Sequence, residues 1–235
     1  MNARECRLIV FAKQPRAGHV KTRLCPPYSP AQAAELAKAA IADTLAAALA
    51  AVPRARARGI VVEPVLVLDG SATAWLHELL EWPMLLRVVP QRPGGLDLRL
   101  AAAFEDATAG FADRRALLVG MDTPQLTDTL LTDAIEQLTM PGCDAVLGLA
   151  DDGGWWALGL RRPDPALLRG VPMSTTETGC EQRARLDAAG LSVTVLPRLR
   201  DVDLAADADH VASQAPRTRF AATLARLRPS VPFAS

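Results

Sequence analysis

Short apolar runs bounded by turn residues recur along this chain, at residues 8–12, 60–68, 85–89, 116–119, 144–149 and 193–196. Runs of this length read as strands buried on both faces rather than as helices. Segments of helical pattern lie between them, and strand alternating with helix predicts right-handed crossovers and a mostly parallel sheet. The clearest helix start is Ser29-Pro30-Ala31-Gln32, with Ser as N-cap, Pro at the first helical position and Gln three residues after the Ser. That helix is expected to run to about residue 52, where Pro53 and an Arg-rich turn would stop it. Pro64 predicts a bend or an edge in the second strand. Further helices are expected over 71–81, 98–109, 127–140, 174–189 and 205–212. Residues 151–160 break the alternation, because two apolar runs joined by an Asp-Gly turn read as a hairpin, which makes the sheet mixed. No repeat or low-complexity linker divides the chain, so a single α/β domain is expected over 1–235, a three-layer α/β/α sandwich. Its residues 216–235 form a terminal surface helix and tail, the expected contact of a homodimer.

The helix-patterned run of alanines after Ser29 carries Glu35, Lys38 and Asp43, which marks it as a helix of a soluble fold; no signal peptide or membrane span is expected. Lys+Arg and Asp+Glu balance at 26 each, which argues against a nucleic-acid or membrane surface as main partner. The four cysteines are scattered, with no CxxC pair, and with three histidines at no ligand spacing a zinc site is not expected. Reduced thiols in a cytoplasmic protein are the plain reading.

Three polar stretches follow carboxyl ends of predicted strands, which is where open α/β sheets bind ligands. The first is the loop after residue 12, where Lys13, Arg16, Lys21 and Arg23 can surround an anion with help from backbone N–H groups. It is neither a P-loop, since Val20 rather than Gly precedes Lys21-Thr22, nor a dinucleotide fingerprint. The second is Asp122, after Gly120 and before Thr123-Pro124, a carboxylate suited to a hard cation such as Mg2+ carrying phosphate. The third is Asp201-Val202-Asp203. The plain alternatives are a solvated basic turn and a helix-capping Asp. No nucleophile–base set is recognisable, and of Trp155 and Trp156 only one can face a site on strand alternation.

The blocks Phe11-Ala12-Lys13-x-Pro15-x-x-Gly18-x-Val20-Lys21-Thr22-Arg23-Leu24, Gly120-x-Asp122-Thr123-Pro124-x-Leu126, Asp152-Gly153-Gly154-Trp155-Trp156-x-x-Gly159-Leu160 and Asp201-Val202-Asp203 occur in this order. They resemble a family of bacterial GT-A-fold transferases described as nucleotide-diphospho-sugar transferase-like, of the glycosyltransferase A or radical-SAM-associated type. That family is similar in turn to molybdenum-cofactor and 2-phospholactate guanylyltransferases. The resemblance implies a GT-A fold and a divalent metal, Mg2+ or Mn2+. It implies that Lys21 and Arg23, with Lys13, Gly18 and Thr22, grip nucleotide phosphates, and that Lys21, Arg23 and Asp122 carry the reaction. Asp122 would bind the metal, with Asp203, or else Asp201, as second acid. Gln91 and Arg99 match a pattern near the base or acceptor, and Asp152, Gly153, Gly154 and Trp155 would lie on the acceptor or sugar side. The sequence departs from the family at Trp155 and Trp156, where Tyr is usual, and at Asp97, where Gly is usual.

The expected function is therefore Mg2+-dependent transfer from a nucleotide or nucleotide-sugar to a small acceptor. The Lys-Thr-Arg-Leu loop favours nucleotidyl transfer, since its cations would stabilise a leaving pyrophosphate. The family's usual description favours glycosyl transfer, and the fork stays open. The alternative is a catalytically silent nucleotide-binding or scaffold protein on the same fold.

Overall fold

A computed structural model describes residues 4–71, 74–79, 86–111 and 115–228. Seven strands form one sheet: β1 (Arg4–Lys13), β2 (Ile60–Asp69), β3 (Arg87–Pro90), β4 (Ala116–Gly120), β5 (Ala145–Ala150), β6 (Trp155–Leu160) and β7 (Val193–Leu199). Their order is β3-β2-β1-β4-β6-β5-β7, and every neighbouring pair is parallel except the two that involve β6. The predicted hairpin is thus β5–β6, with β6 inserted between two strands that run the other way. Pro64 falls where β2 has β1 on one side and β3 has not yet begun, since the β2–β3 register starts at Val65. The missing N–H therefore breaks no ladder on the β3 side.

Alternation along the strands divides the core. Leu8 and Val10 of β1 and Leu117 and Val119 of β4 face α1 (Pro30–Ala57), α2 (Ala74–Leu79) and α4 (Asp128–Thr139). Ile9, Ala116 and Leu118 face α3 (Leu96–Thr108) and α5 (Thr178–Ala188) on the other side. Two further helices, α6 (Ala205–Gln214) and α7 (Arg219–Leu227), pack behind α1 through Leu36, Val211, Phe220 and Leu224. Each wholly buried Leu or Ile of these layers contributes about 1.5–3 kcal/mol.

The capping box at the start of α1 forms as its sequence dictates: Ser29 Oγ accepts from Gln32 N at 3.3 Å and Gln32 Oε1 from Ser29 N at 2.8 Å. Its end does not. The helix passes through Pro53 to Ala57, although proline inside a helix costs about 3 kcal/mol. Tertiary contacts hold the last turn: Ala55 is wholly buried, Arg54 pairs with Asp128 of α4 at 2.8 Å, and Arg58, just beyond, with Asp133 at 2.7 Å. By length and composition α1 could cross a membrane, but 61% of its most apolar window is buried in this fold. The apolar face of α7 is likewise used inside the chain, with the Asp43 carboxylate accepting from Arg219 N and Phe220 N at its start. That face of α7 packs on α1 and α6, and residues 229–235 of the tail lie outside the described residues. So do parts of the expected 71–81 helix and Leu85 of the third strand.

The expected helix start at Ser174 is also displaced. Ser174 takes a left-handed backbone (φ 59°), and α5 begins at Thr178. Gly179, which costs about 1 kcal/mol in a helix interior, sits in the first turn because its backbone crosses the β5–β6 turn, donating to Gly153 O at 2.8 Å. A Cβ there would lie 2.7 Å from Gly154 O. Gly153 answers from the other side, with φ +91° and an added Cβ 2.0 Å from Thr176 O. The two glycines let two chain segments touch, and that contact builds one wall of the site.

Candidate active site

The chain runs outward from β1 to β2 and β3, then returns to the other side of β1 with β4. Lys13 and Gly120 therefore end adjacent strands at a topological switch point, the usual place for a ligand in such sheets. A cavity of about 790 Å³ opens there, within the range of small-molecule sites.

Asp122 follows β4, and its carbonyl accepts from Val202 N at 2.8 Å. That single backbone bond brings the segment after β7 beside the end of β4. Lys21, in a left-handed backbone (φ 51°), sends its ammonium between the Asp122 carboxylate and the Val202 carbonyl. Only 9% of its side chain is exposed, and it lies beneath the cavity rather than in its lining. A non-glycine residue held this way carries of order 1 kcal/mol of backbone strain, which the ion pair sustains. Arg23, on a 3-10 turn (Thr22–Leu24), pairs with Asp203 and reaches the cavity. Gly18 takes positive φ (+76°) in the loop; it and Thr22 stay outside the lining. Lys13 lines the cavity and also a smaller one of about 240 Å³ that it shares with Arg16 and His19.

On the β3 side, Gln91 Nε2 donates to Ala12 O at 2.8 Å and to Val67 O at 3.1 Å, bridging the ends of β1 and β2. Its Oε1 accepts from Arg99, which also pairs with Asp69 at 3.0 Å and lies 5.8 Å from the Phe11 ring centre. The pair expected near a base or acceptor is thus one connected unit on this wall.

On the opposite wall, Asp152 Oδ1 accepts from Gly154 N at 2.7 Å and holds the turn that presents Trp155 to the cavity. Trp156 turns inward, 3% exposed, with its indole N–H donating to Pro197 O at 3.0 Å. The Trp155 indole N–H and the hydroxyl of Thr123, 1% exposed beside Asp122, find no partner among the described residues.

The two candidate acids after β7 differ. Asp203 is occupied by Arg23, whereas Asp201 lies within the field of Asp152 and Asp122. Burial first, and then the Asp152 charge, push the Asp201 carboxyl up to about 6, with Lys21 opposing. Sequence reading missed Arg200 and Asp207, which line the cavity, and the 173–178 segment, which it had assigned to a helix. No periodicity or motif marks them; only the Gly153–Gly179 crossing places the 173–178 segment.

These features define a GT-A-like fold, a seven-stranded mixed sheet with its cavity at the switch point. A nucleotide-diphospho-sugar transferase candidate from Desulfovibrio desulfuricans G20 shares it over 94% of each chain, with a TM-score of 0.78 and 24% identity. A 4-diphosphocytidyl-2C-methyl-D-erythritol synthase from Anaerococcus prevotii DSM 20548 covers 92% of this chain and is itself covered entirely, with a TM-score of 0.57 and 11% identity. CMP:2-keto-3-deoxy-manno-octonic acid synthetase complexed with CTP matches over 91% of this chain and 99% of that one, with a TM-score of 0.52 and 11% identity. The chain belongs to the family described as "Uncharacterized protein conserved in bacteria (DUF2064)", whose pattern matches residues 51–175. No curated protein matches it.

Proposed function

We propose that this protein, as one domain, is a Mg2+-dependent transferase that takes a nucleotide or nucleotide-sugar donor and passes part of it to a small acceptor. The observation that carries the reading is the meeting of Asp122 and Asp201 with Lys13 and Arg23 in one cavity at the switch point. The solved relatives on this fold are named for nucleotide chemistry, one of them with CTP bound, which supports a nucleotide donor here.

The residues present fit a divalent cation. Asp201 carries an unfavourable negative charge at neutral pH, which a cation beside Asp122 would relieve. No group of three ligating side chains stands preassembled among the described residues, so Asp122 and Asp201 would hold Mg2+ together with substrate phosphates, as is common for this ion. Bound there, the ion would supply neutralisation of phosphate charge. Asp203, already paired with Arg23, would orient that guanidinium rather than ligate. Lys21 fixes the position of Asp122 and, sharing it with a cation, would turn its ammonium towards phosphate. Lys13 presents positive charge to a leaving pyrophosphate or nucleoside diphosphate.

The test is a panel of nucleoside triphosphates and nucleotide sugars, each with Mg2+ and with chelator, read by thermal shift and by release of pyrophosphate or nucleoside diphosphate. A metal-dependent rise in midpoint with turnover is expected; pyrophosphate release assigns nucleotidyl transfer and nucleoside diphosphate release assigns glycosyl transfer. Binding without turnover in any acceptor mixture would leave the silent scaffold, and no binding at all would end the proposal.

A further inference from the structure

The wall opposite Gln91 and Arg99 differs in charge from the rest of the cavity. It contains Asp151, Asp152, Asp201, Asp203 and Asp207 against the guanidiniums of Arg23 and Arg200. Neither guanidinium is available to a new anion. Arg200 lies 3.2 Å from Asp151 and 3.8 Å from Asp207, and Arg23 is paired with Asp203. With Asp201 assigned to the metal, four carboxylates still face two engaged cations on this wall. A phosphate or carboxylate brought here would meet like charge, which disfavours its binding.

What the wall does offer is neutral. Ser174, Thr175 and Thr176, exposed residues, line it, and carboxylate oxygens can accept from substrate hydroxyls. Trp155 adds an aromatic surface of the kind that packs on the C–H face of a ring or chain. Among the described residues its buried indole N–H has no partner, and neither has the hydroxyl of Thr123, which is 1% exposed at the cavity border beside Asp122.

We infer that the acceptor bound at this wall is an uncharged, hydroxyl-rich small molecule carrying neither phosphate nor carboxylate. The inference rests on the transferase reading above and deepens it by naming the acceptor class. Donor phosphates belong to the Lys13 side, and the acceptor to the Trp155 side.

The experiment follows the indole 1H–15N resonance of Trp155, assigned by its disappearance in Trp155→Phe, during titration with matched probes. Glycerol is paired with glycerol 3-phosphate, and glucose with glucuronate. The neutral member of each pair is expected to shift the resonance saturably, and the anionic member to need roughly tenfold higher concentration. Replacing Asp151→Asn together with Asp207→Asn frees Arg200, and should narrow that ratio several-fold, chiefly by tightening the anionic probes. The inference is overturned by tighter binding of the anionic members, by no saturable shift from either neutral probe, or by an unchanged ratio in the double variant. If Trp155→Phe fails to fold, the same ratio measured by saturation-transfer NMR on wild type and double variant decides. Failure of the parent reading looks different. Polyol binding without Mg2+-dependent donor binding would count against the transferase, whereas donor binding with a preference for phosphorylated acceptors would count against this assignment alone.

Discussion

The two walls of the cavity are built by different means. The Lys13 wall comes from strand ends and the loops that leave them directly, with Gln91 and Arg99 locked to the ends of β1 and β2. The Trp155 wall is assembled from three segments distant in sequence, held by the Gly153–Gly179 crossing and by Arg200 between Asp151 and Asp207. One wall is a property of the sheet, and the other a property of contacts between loops. Recognition of a common donor suits the first, and divergence of the acceptor suits the second, because loop contacts change without disturbing the sheet.

That contrast can be broken experimentally. The largest effect should come from the junction: Asp122→Ala should lower Mg2+-dependent nucleotide affinity by roughly 100-fold or more, since even residues behind a metal ligand cost 10–100-fold. Wild-type affinity in Mg2+ would remove Asp122 from the metal. Next, Gly153→Ala should destabilise the fold by about 2 kcal/mol or more, because alanine is strained at φ +91° and its Cβ meets Thr176 O. Denaturant melts measure this, and an unchanged midpoint would mean the crossing is not what holds the Trp155 wall. Lys13→Ala should weaken triphosphates about tenfold while leaving the free nucleoside unaffected, by calorimetric titration. Equal effects on both would take phosphate contact away from the Lys13 wall.

The smallest effect is a pH dependence. The Asp201 carboxyl titrates near 6 in the folded chain and near 3.8 unfolded, so in chelator its ionisation opposes folding above pH 6 and not below about 4. The native state binds more protons across that window, and stability from this group therefore falls as pH rises through it. Asp201→Asn should remove that fall, and should be more stable than wild type by about 1 kcal/mol at pH 7.5, after allowance for partial solvent screening. A difference that does not change between pH 7.5 and 4.5 would show that Asp201 feels neither burial nor Asp152.

The Lys13 wall was largely legible in the sequence because its residues are local. A strand followed at once by cations, and Gly120-Met121-Asp122 closing an apolar run, place cations and a carboxylate at one sheet edge from a dozen residues each. The alternation of runs likewise implied the parallel sheet, and Ser29 to Gln32 implied their cap. What failed was decided by partners far along the chain. Pro53 does not end α1, because α4 supplies Asp128 and Asp133 to the turns beyond it. Ser174 does not start a helix, because the backbone there must first pass Gly153. What distinguishes Asp201 from Asp203 is likewise distant, since Arg23, about 180 residues earlier, engages Asp203.

The hydrogen bond from Val202 N to Asp122 O also has a bearing on synthesis. A ribosome makes the strand that carries Asp122 long before the segment that clasps it, and domains fold as the chain emerges. A nascent chain that ends before Asp201 can hold the basic loop and Asp122, yet lacks Asp201 and the Val202 carbonyl that anchors Lys21. On the proposed reading, donor affinity should therefore arrive late and abruptly, once the segment after β7 has cleared the exit tunnel.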